Sequence, residues 1–182
     1  YKRQLYYFVP YATSLLGMTV ASAALLAAVK RYISPISNVG GGYIGDKIGT
    51  GNLLFVSFVV MAAGTAGILL LPLKTSTVII WMFVALYIIN YLFYQVNYSL
   101  TWAMMEEGAI PDKYSGTAAG LISTIGYLPD IFISLMAGKL LDSYPGVTGY
   151  RYFFIFLIAM LILGAVFVTI WKSYLKKNKC EK

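Results

Sequence analysis

The stretch TVASAALLAAVKRYISPISNVGGGYIG, which runs from Thr19 to Gly45, decides the fold of this chain. It is apolar over more than the ~20 residues that an α-helix needs to cross the ~30 Å hydrocarbon core of a bilayer. Lys30 and Arg31 nevertheless stand near its middle. Because a charge at the bilayer centre costs about 2.5 to 3.5 kcal/mol on insertion scales, such residues normally face a water-filled cavity or a partner. The stretch therefore predicts a membrane helix with a polar face.

Four further stretches are long and apolar enough to cross a membrane. The composition agrees, since 59% of the 182 residues are hydrophobic and only 12% are charged, whereas charged residues make up about a quarter of a typical soluble domain. A shorter apolar piece, Leu5 to Leu16, is interpreted as the tail of a truncated helix. We predict an all-α integral membrane protein, a multi-pass helical bundle. The predicted spans are Thr19–Gly45, Asn52–Leu73, Thr77–Met105, Ser115–Leu141 and Arg151–Trp171.

Positive charge is divided unevenly between the two sets of connecting segments. Residues 46–50, 106–114 and 172–182 carry seven lysines, whereas the opposite loops carry only Lys74, Lys139 and Arg151. By the positive-inside bias, the lysine-rich side is predicted to be cytoplasmic. We therefore expect a truncated helix in residues 1–17, five transmembrane helices in residues 18–171 and a basic cytoplasmic tail in residues 172–182. The expected location is a plasma membrane, namely the inner membrane of a bacterium.

The residue types present disfavour several classes of function. The chain has no His and a single Cys, Cys180, so it lacks the commonest metal ligand and general base. The acidic pair Glu106–Glu107 falls at a membrane edge and not within a span. We therefore expect no enzyme, no metal and no cofactor. The net charge of +7 is explained by topology and by attraction to the anionic headgroups of the lipid bilayer, so nucleic acid is not an expected partner.

Polar residues recur at helical spacing in four segments, which places them along one face of each helix. The other two spans, 52–73 and 151–171, have no ionisable group in their interiors and are predicted to be peripheral supports that face lipid. The four stripes are Tyr7, Tyr11 and Ser14; Arg31, Ser34, Pro35, Asn38 and Gly42; Tyr87, Asn90, Tyr94, Asn97 and Thr101; and Ser123, Tyr127, Asp130 and Ser134.

The charged members of these stripes are the first candidates for a site inside the membrane. Arg31 and Asp130 can be satisfied there only by an ion pair or by an aqueous cavity. Lys30 is rotated by ~100° from Arg31 on the helix, so it ranks second and can instead pair with Asp130. For a single Tyr or Asn, hydrogen bonding between packed helices is the alternative to ligand binding. The predicted substrate contacts are Arg31, Lys30, Asn90, Tyr94, Tyr127 and Asp130.

The segment Gly40–Gly49 has the pattern G-x-x-x-D-K-x-G at a predicted cytoplasmic boundary. It resembles the signature loop of major facilitator superfamily transporters. In that family the glycines allow close helix approach, the Asp serves a charge network at a helix end, and the basic residue lies at the cytoplasmic surface. Thr50 and Gly51 stand where the family often has basic residues, which weakens the implied charge network. The matching positions, implied to act in gating, are Gly42, Asp46, Lys47 and Gly49.

An internal repeat at a separation of about 95 residues extends the resemblance. Arg31–Pro35 is echoed by Gly126–Asp130, and Gly42-x-x-x-Asp46 by Gly138-x-x-x-Asp142. A 3+3 inverted repeat is how each half of this superfamily is built. The resemblance implies the C-terminal half of such a transporter, from the end of the seventh helix through the twelfth. A six-helix N-terminal half of the same chain is then the expected partner.

The resemblance implies a secondary active transporter that moves a small solute by alternating access. In this hypothesis Arg31 holds an anionic group of the substrate, because a guanidinium can bind a carboxylate or phosphate through two hydrogen bonds. The substrate class would be a sugar acid, a sugar phosphate or a carboxylate, with a proton or sodium ion as the candidate coupling ion in symport. The alternatives are a membrane-embedded enzyme and a structural or assembly subunit that uses Arg31 and Asp130 for helix packing.

Overall fold

The computed structural model of the chain describes residues 4–73, 76–107 and 112–180, and over this part the backbone forms six α-helices and no β-strand. The side chains of residues 4–6, 27, 105–107, 112, 130, 175 and 177–180 lie outside the description. The prediction of an all-α membrane protein is confirmed. The helices are α1 (Gln4–Leu15), α2 (Val20–Ile48), α3 (Thr50–Leu70), α4 (Thr77–Glu107), α5 (Asp112–Ser143) and α6 (Val147–Cys180).

Four of the described helices, α3 to α6, are long and apolar enough to cross a membrane. Helix α2 has the length, since its 29 residues rise by about 44 Å. It does not reach the same apolarity because Lys30, Arg31 and its serines interrupt the hydrophobic residues. Helix α6 also continues beyond Trp171 to Cys180, so most of the segment predicted as a basic tail is helical.

Local chemistry explains where α2 begins and ends. The Thr19 hydroxyl accepts a hydrogen bond from the backbone N–H of Ser22, which satisfies one of the donors left free in a first helical turn. At the other end Gly49 has a φ of 86°, a conformation that side chains with a Cβ rarely adopt, and its N–H donates to the Gly45 carbonyl at 2.8 Å. The chain can therefore turn directly from α2 into α3.

Helix α3 packs against α4 and α6, and α4 packs in turn against α2. The short α1 is held to α4 and α6 by aromatic side chains. The ring of Tyr11 lies edge-on to that of Phe154 with centroids 5.0 Å apart, and Phe8 lies 5.1 Å from the same ring. Tyr11, predicted to belong to a polar stripe, is thus buried in an aromatic cluster between α1, α4 and α6.

Helix α5 is the least covered of the long helices, because its main described neighbour is α6 alone. Helix α2 also leaves one side open. The exposed apolar side chains on these two helices include Tyr32, Ile36, Val39, Leu121, Ile125 and Leu135. Apolar faces of this extent are surfaces that lipid or further protein must cover in a membrane.

Candidate functional site

The predicted site residues of α2 meet α4 along one seam. The Nζ atom of Lys30 lies 5.6 Å from the ring centroid of Tyr87 and 5.8 Å from that of Tyr91, and the Lys30 side chain is half-buried. Ser34 lies one turn after Lys30 on α2. Its hydroxyl accepts a hydrogen bond from the side-chain amide of Gln95 on α4. The seam therefore combines a cation, aromatic faces that attract it, and a polar contact between the helices.

Two glycines let the helices approach closely at the far end of this seam. A Cβ on Gly41 would lie 3.0 Å from Cγ2 of Val96, and a Cβ on Gly45 would lie 2.8 Å from Cδ2 of Leu100. Small residues four apart are the usual means of close helix packing in membranes. A Cβ on Gly42 would meet no described atom within 4 Å. The close approach that the family resemblance implied for Gly42 is thus made by its neighbours.

Arg31 occupies a different face of α2 from Lys30. Its side chain is exposed, as are those of Tyr32 and Pro35, and it makes no hydrogen bond or ion pair within the described part of the chain. The cation that packs against α4 is therefore Lys30, which the sequence ranked second. Arg31 instead lies midway along the uncovered side of α2.

Two asparagines of the predicted α4 stripe face α3. Asn90 is only 2% exposed; its amide donates to the Leu86 carbonyl at 2.9 Å, and its Oδ1 accepts from the Thr65 hydroxyl at 3.3 Å. The Asn97 amide lies 3.4 Å from the sulfur of Met61. These contacts support the packing role that was the alternative for a single Asn. Tyr94 is likewise buried, with its ring 5.8 Å from that of Tyr91.

The two α5 candidates are placed differently from those of α2 and α4. Tyr127 is 53% exposed on the open side of α5. The side chain of Asp130 lies outside the described residues, so its predicted roles toward Lys30 and Arg31 stay predictions. Among the described residues α5 packs mainly against α6, and no comparable packing joins it to α2 or α4.

The signature loop lies at the end of α2 with its charged residues exposed. Lys47 places Nζ 4.4 Å above the ring of Tyr43, one turn earlier on the same helix. Asp46 forms no ion pair with any side chain that the structure describes. Its expected partners are therefore not found within this part of the chain, and the gating role of Gly42, Asp46, Lys47 and Gly49 stays a prediction.

Gln95 is a contact residue that the sequence analysis missed. The predicted α4 stripe ran through Asn90 and Tyr94, one position away. A second stripe of Tyr91, Gln95 and Ser99 recurs every four residues, and its last member donates from its hydroxyl to the Asn38 carbonyl of α2 at 3.4 Å. That spacing is the signal that could have identified a second polar side of α4, and the structure shows that this side faces α2.

Replacing Gln95 with Met should lower the free energy of unfolding by about 1 kcal/mol, the usual worth of one hydrogen bond between membrane helices. Met keeps the side-chain length but cannot donate to Ser34. Unfolding in a denaturing detergent measures the effect, with Ser34→Ala and the double variant alongside. A double variant that loses the sum of the two single effects would show that the bond is absent.

Comparison with curated proteins finds relatives of low identity that cover nearly all of this chain. The chain is 27% identical to inner membrane protein YihN of Escherichia coli (strain K12) over 178 residues, 96% of this chain and 42% of that protein. It is 27% identical over 167 residues to inner membrane protein YqcE of the same organism, 89% of this chain and 38% of that protein. The uncharacterized MFS-type transporter YvkA of Bacillus subtilis (strain 168) is 29% identical over 161 residues, 88% of this chain and 33% of that protein.

The chain thus spans between a third and about two-fifths of the length of these relatives. No family model and no solved structure matches it. The relatives and the apolar helices together support a transporter-like protein of the inner membrane.

Proposed function

We propose that this chain forms one wall of a secondary active transporter that carries a small organic anion across a bacterial inner membrane. The observation that carries this proposal is the exposed Arg31 midway along α2. A guanidinium that faced hydrocarbon at that depth would cost several kcal/mol on any scale. The open side of α2 therefore has to face water or further protein, and a solute pathway provides both.

The remainder of a longer chain would complete such a pathway. The relatives extend well beyond the region that this chain matches, which leaves length for a second helical bundle. Helices α2 and α5 each leave one side open, and they carry Arg31 and Tyr127 there. We place the substrate between these sides and an N-terminal six-helix half, with the two halves rocking about the site in alternating access.

Each proposed contact has a distinct chemical task. Arg31 stays charged throughout the cycle and binds a carboxylate or phosphate through paired hydrogen bonds. Lys30, held over the rings of Tyr87 and Tyr91, adds positive potential one residue away. The Tyr127 hydroxyl donates to or accepts from substrate hydroxyls. Asp130 balances Arg31 in the empty site or carries a coupling proton.

The substrate class in this proposal is a sugar acid, a sugar phosphate or a carboxylate, coupled to a proton or a sodium ion.

A structural subunit that uses its polar residues only for helix assembly is less well supported. The hydrogen bonds of α4 to α2 and α3 are made by neutral side chains such as Asn90 and Gln95, whereas Arg31 is exposed and makes no hydrogen bond or ion pair within the described part of the chain. Assembly of the described helices therefore gives Arg31 no role.

A thermal-stability screen of the purified full-length protein tests the substrate class. Organic acids and sugar phosphates should raise the apparent Tm because a ligand that binds only the native state stabilises it by mass action. Neutral sugars should not. The increase should disappear in Arg31→Gln and persist in Arg151→Gln, which removes an exposed guanidinium elsewhere. Stabilisation by neutral sugars, equal in all three proteins, would overturn the anion assignment.

A further inference from the structure

We infer that Asp142, at the end of α5, closes one end of the solute pathway by pairing with a cationic side chain of the proposed N-terminal half. It is the counterpart of Asp46, for which the family resemblance implies a charge network on the other membrane face. The inference rests on the proposed function, because it needs two halves that rock about a site. It concerns how the pathway opens and not which solute it carries.

The two carboxylates lie on opposite faces of the membrane. Asp46 is in the last turn of α2, just before the corner from which α3 begins. Helices α3, α4 and α5 are each long and apolar enough to cross a membrane. Three crossings carry the chain to the opposite face, where α5 ends directly after Asp142. One carboxylate is therefore available at each end of a pathway.

The end of α5 repeats the local structure found at the end of α2. Each Asp comes one turn after a glycine, and each helix is followed by a glycine of positive φ, 86° at Gly49 and 81° at Gly146. A Cβ added at Gly42 or at Gly138 would meet no described atom within 4 Å. These two glycines thus serve no packing among the described helices, and each leaves room for a helix of another bundle beside the Asp.

Asp142 lies on the open side of α5. The buried residues Ile133 and Ala137 mark the covered side of this helix, and at ~100° per residue Asp142 is rotated from them by about 180° and about 140°. Leu135, two turns before Asp142, lies on the same open side and is 67% exposed. Val39 has the same place relative to Asp46 and is 75% exposed. Both carboxylates therefore face the space assigned to the N-terminal half.

The corner after Asp142 is fixed by its contacts. The Tyr144 N–H donates to the Leu140 carbonyl at 3.0 Å, and the ring of Tyr144 lies edge-on to that of Tyr152 with centroids 5.2 Å apart. A Cβ on Gly149 would overlap the Tyr144 carbonyl, so α6 begins tightly against the end of α5. The carboxylate therefore moves with α5 and α6 as one body when the halves rock.

The charge of these residues identifies the partner. Asp46 and Asp142 are exposed and form no ion pair with any side chain that the structure describes. Anionic lipid headgroups repel a carboxylate, so lipid does not match this surface. The relatives extend well beyond the region that this chain matches, which leaves length for a second bundle. A cation on that bundle would pair with Asp142 when its end of the pathway closes.

Cysteine labelling of the full-length protein tests this inference. The native cysteines are replaced by serine, and Val39→Cys or Leu135→Cys reports opening at the Asp46 end or at the Asp142 end. In nanodiscs a membrane-impermeant maleimide reaches both faces, so the two labelling rates follow the two open populations. Asp142→Asn should raise the ratio of the rate at position 135 to the rate at position 39 about threefold, as expected for one partly solvated ion pair.

The control variants test the direction of the shift. Asp46→Asn should lower the same ratio, and the double variant should return it close to the original value. Asp142→Glu keeps the charge and should change the ratio less. Arg151→Gln, which removes an exposed charge at the beginning of α6, should leave the ratio unchanged. If Asp142→Asn altered the rate at position 135 alone, the effect would be a local one on the thiol, and the inference would be overturned.

Thermal stabilisation by organic anions, measured on the same variants, separates this inference from the proposed function. Stabilisation in every variant, with a labelling ratio that neither Asp substitution changes, would overturn the inference and leave the proposed function standing. Opposite shifts of the ratio in the two Asp variants, without stabilisation by any anion, would support the inference and overturn the substrate class.

Discussion

Uptake of an organic anion by the full-length protein is expected to be abolished when Arg31 is replaced by Gln. The guanidinium is exposed on α2 and bonds to no described neighbour, so the substitution removes a ligand contact without removing a packing contact. Hydrogen bonds to charged groups are worth about 1.5 to 3 kcal/mol each. Losing a paired set should therefore weaken apparent affinity by at least about a hundredfold, measured as uptake into cells or proteoliposomes.

Two matched variants make this result specific. Arg31→Lys keeps the charge but not the planar pair of donors, so it should recover only part of the uptake. Arg151→Gln removes a second exposed guanidinium, at the beginning of α6, and should transport normally. The amount of folded protein in the membrane should be the same in all variants. Normal uptake by Arg31→Gln at equal protein level would exclude Arg31 as the anion contact.

The positions of the long helices could be predicted because the bilayer itself specifies them. A segment that crosses ~30 Å of hydrocarbon must satisfy its backbone internally, so apolar length alone indicates a helix. Residues 52–73 and 151–171, for example, were predicted from this rule and correspond to α3 and α6. The same rule makes no prediction for residues outside the membrane, which is why the helical continuation of α6 to Cys180 was not expected.

The neighbours of each helix face could not be predicted in the same way. Periodicity places Asn90 and Asn97 on one side of α4, but α4 also carries Tyr91, Gln95 and Ser99 on another side. Both sides are polar, and nothing in their spacing says which faces α2, which faces α3 and which faces a cavity. Similarly, the choice between Gly41 and Gly42 at the α2 seam depends on a rotation of ~100°, which only the packed structure specifies.

The contact between α3 and α4 around Gly64 is expected to show strong energetic coupling. A Cβ at Gly64 would overlap the amide nitrogen of Asn90 and lie 3.2 Å from its Cγ. Asn90 cannot retreat easily, because its amide is bonded to Leu86 and Thr65 in a fully buried position. Gly64→Ala should therefore lower the free energy of unfolding by about 3 kcal/mol, toward the upper end of overpacking effects.

A double-mutant cycle distinguishes this packing role of Asn90 from the predicted substrate contact. In an Asn90→Ala background the space is free, so Gly64→Ala should cost less than about 1 kcal/mol. Gly120→Ala, where an added Cβ meets no described atom within 4 Å, controls for the helix preference of Ala. Anion affinity should be the same in every variant that folds, because Asn90 faces α3. If the two substitutions instead lowered the free energy of unfolding additively, and Asn90→Ala selectively lost anion binding, Asn90 would be a substrate contact and not a packing residue.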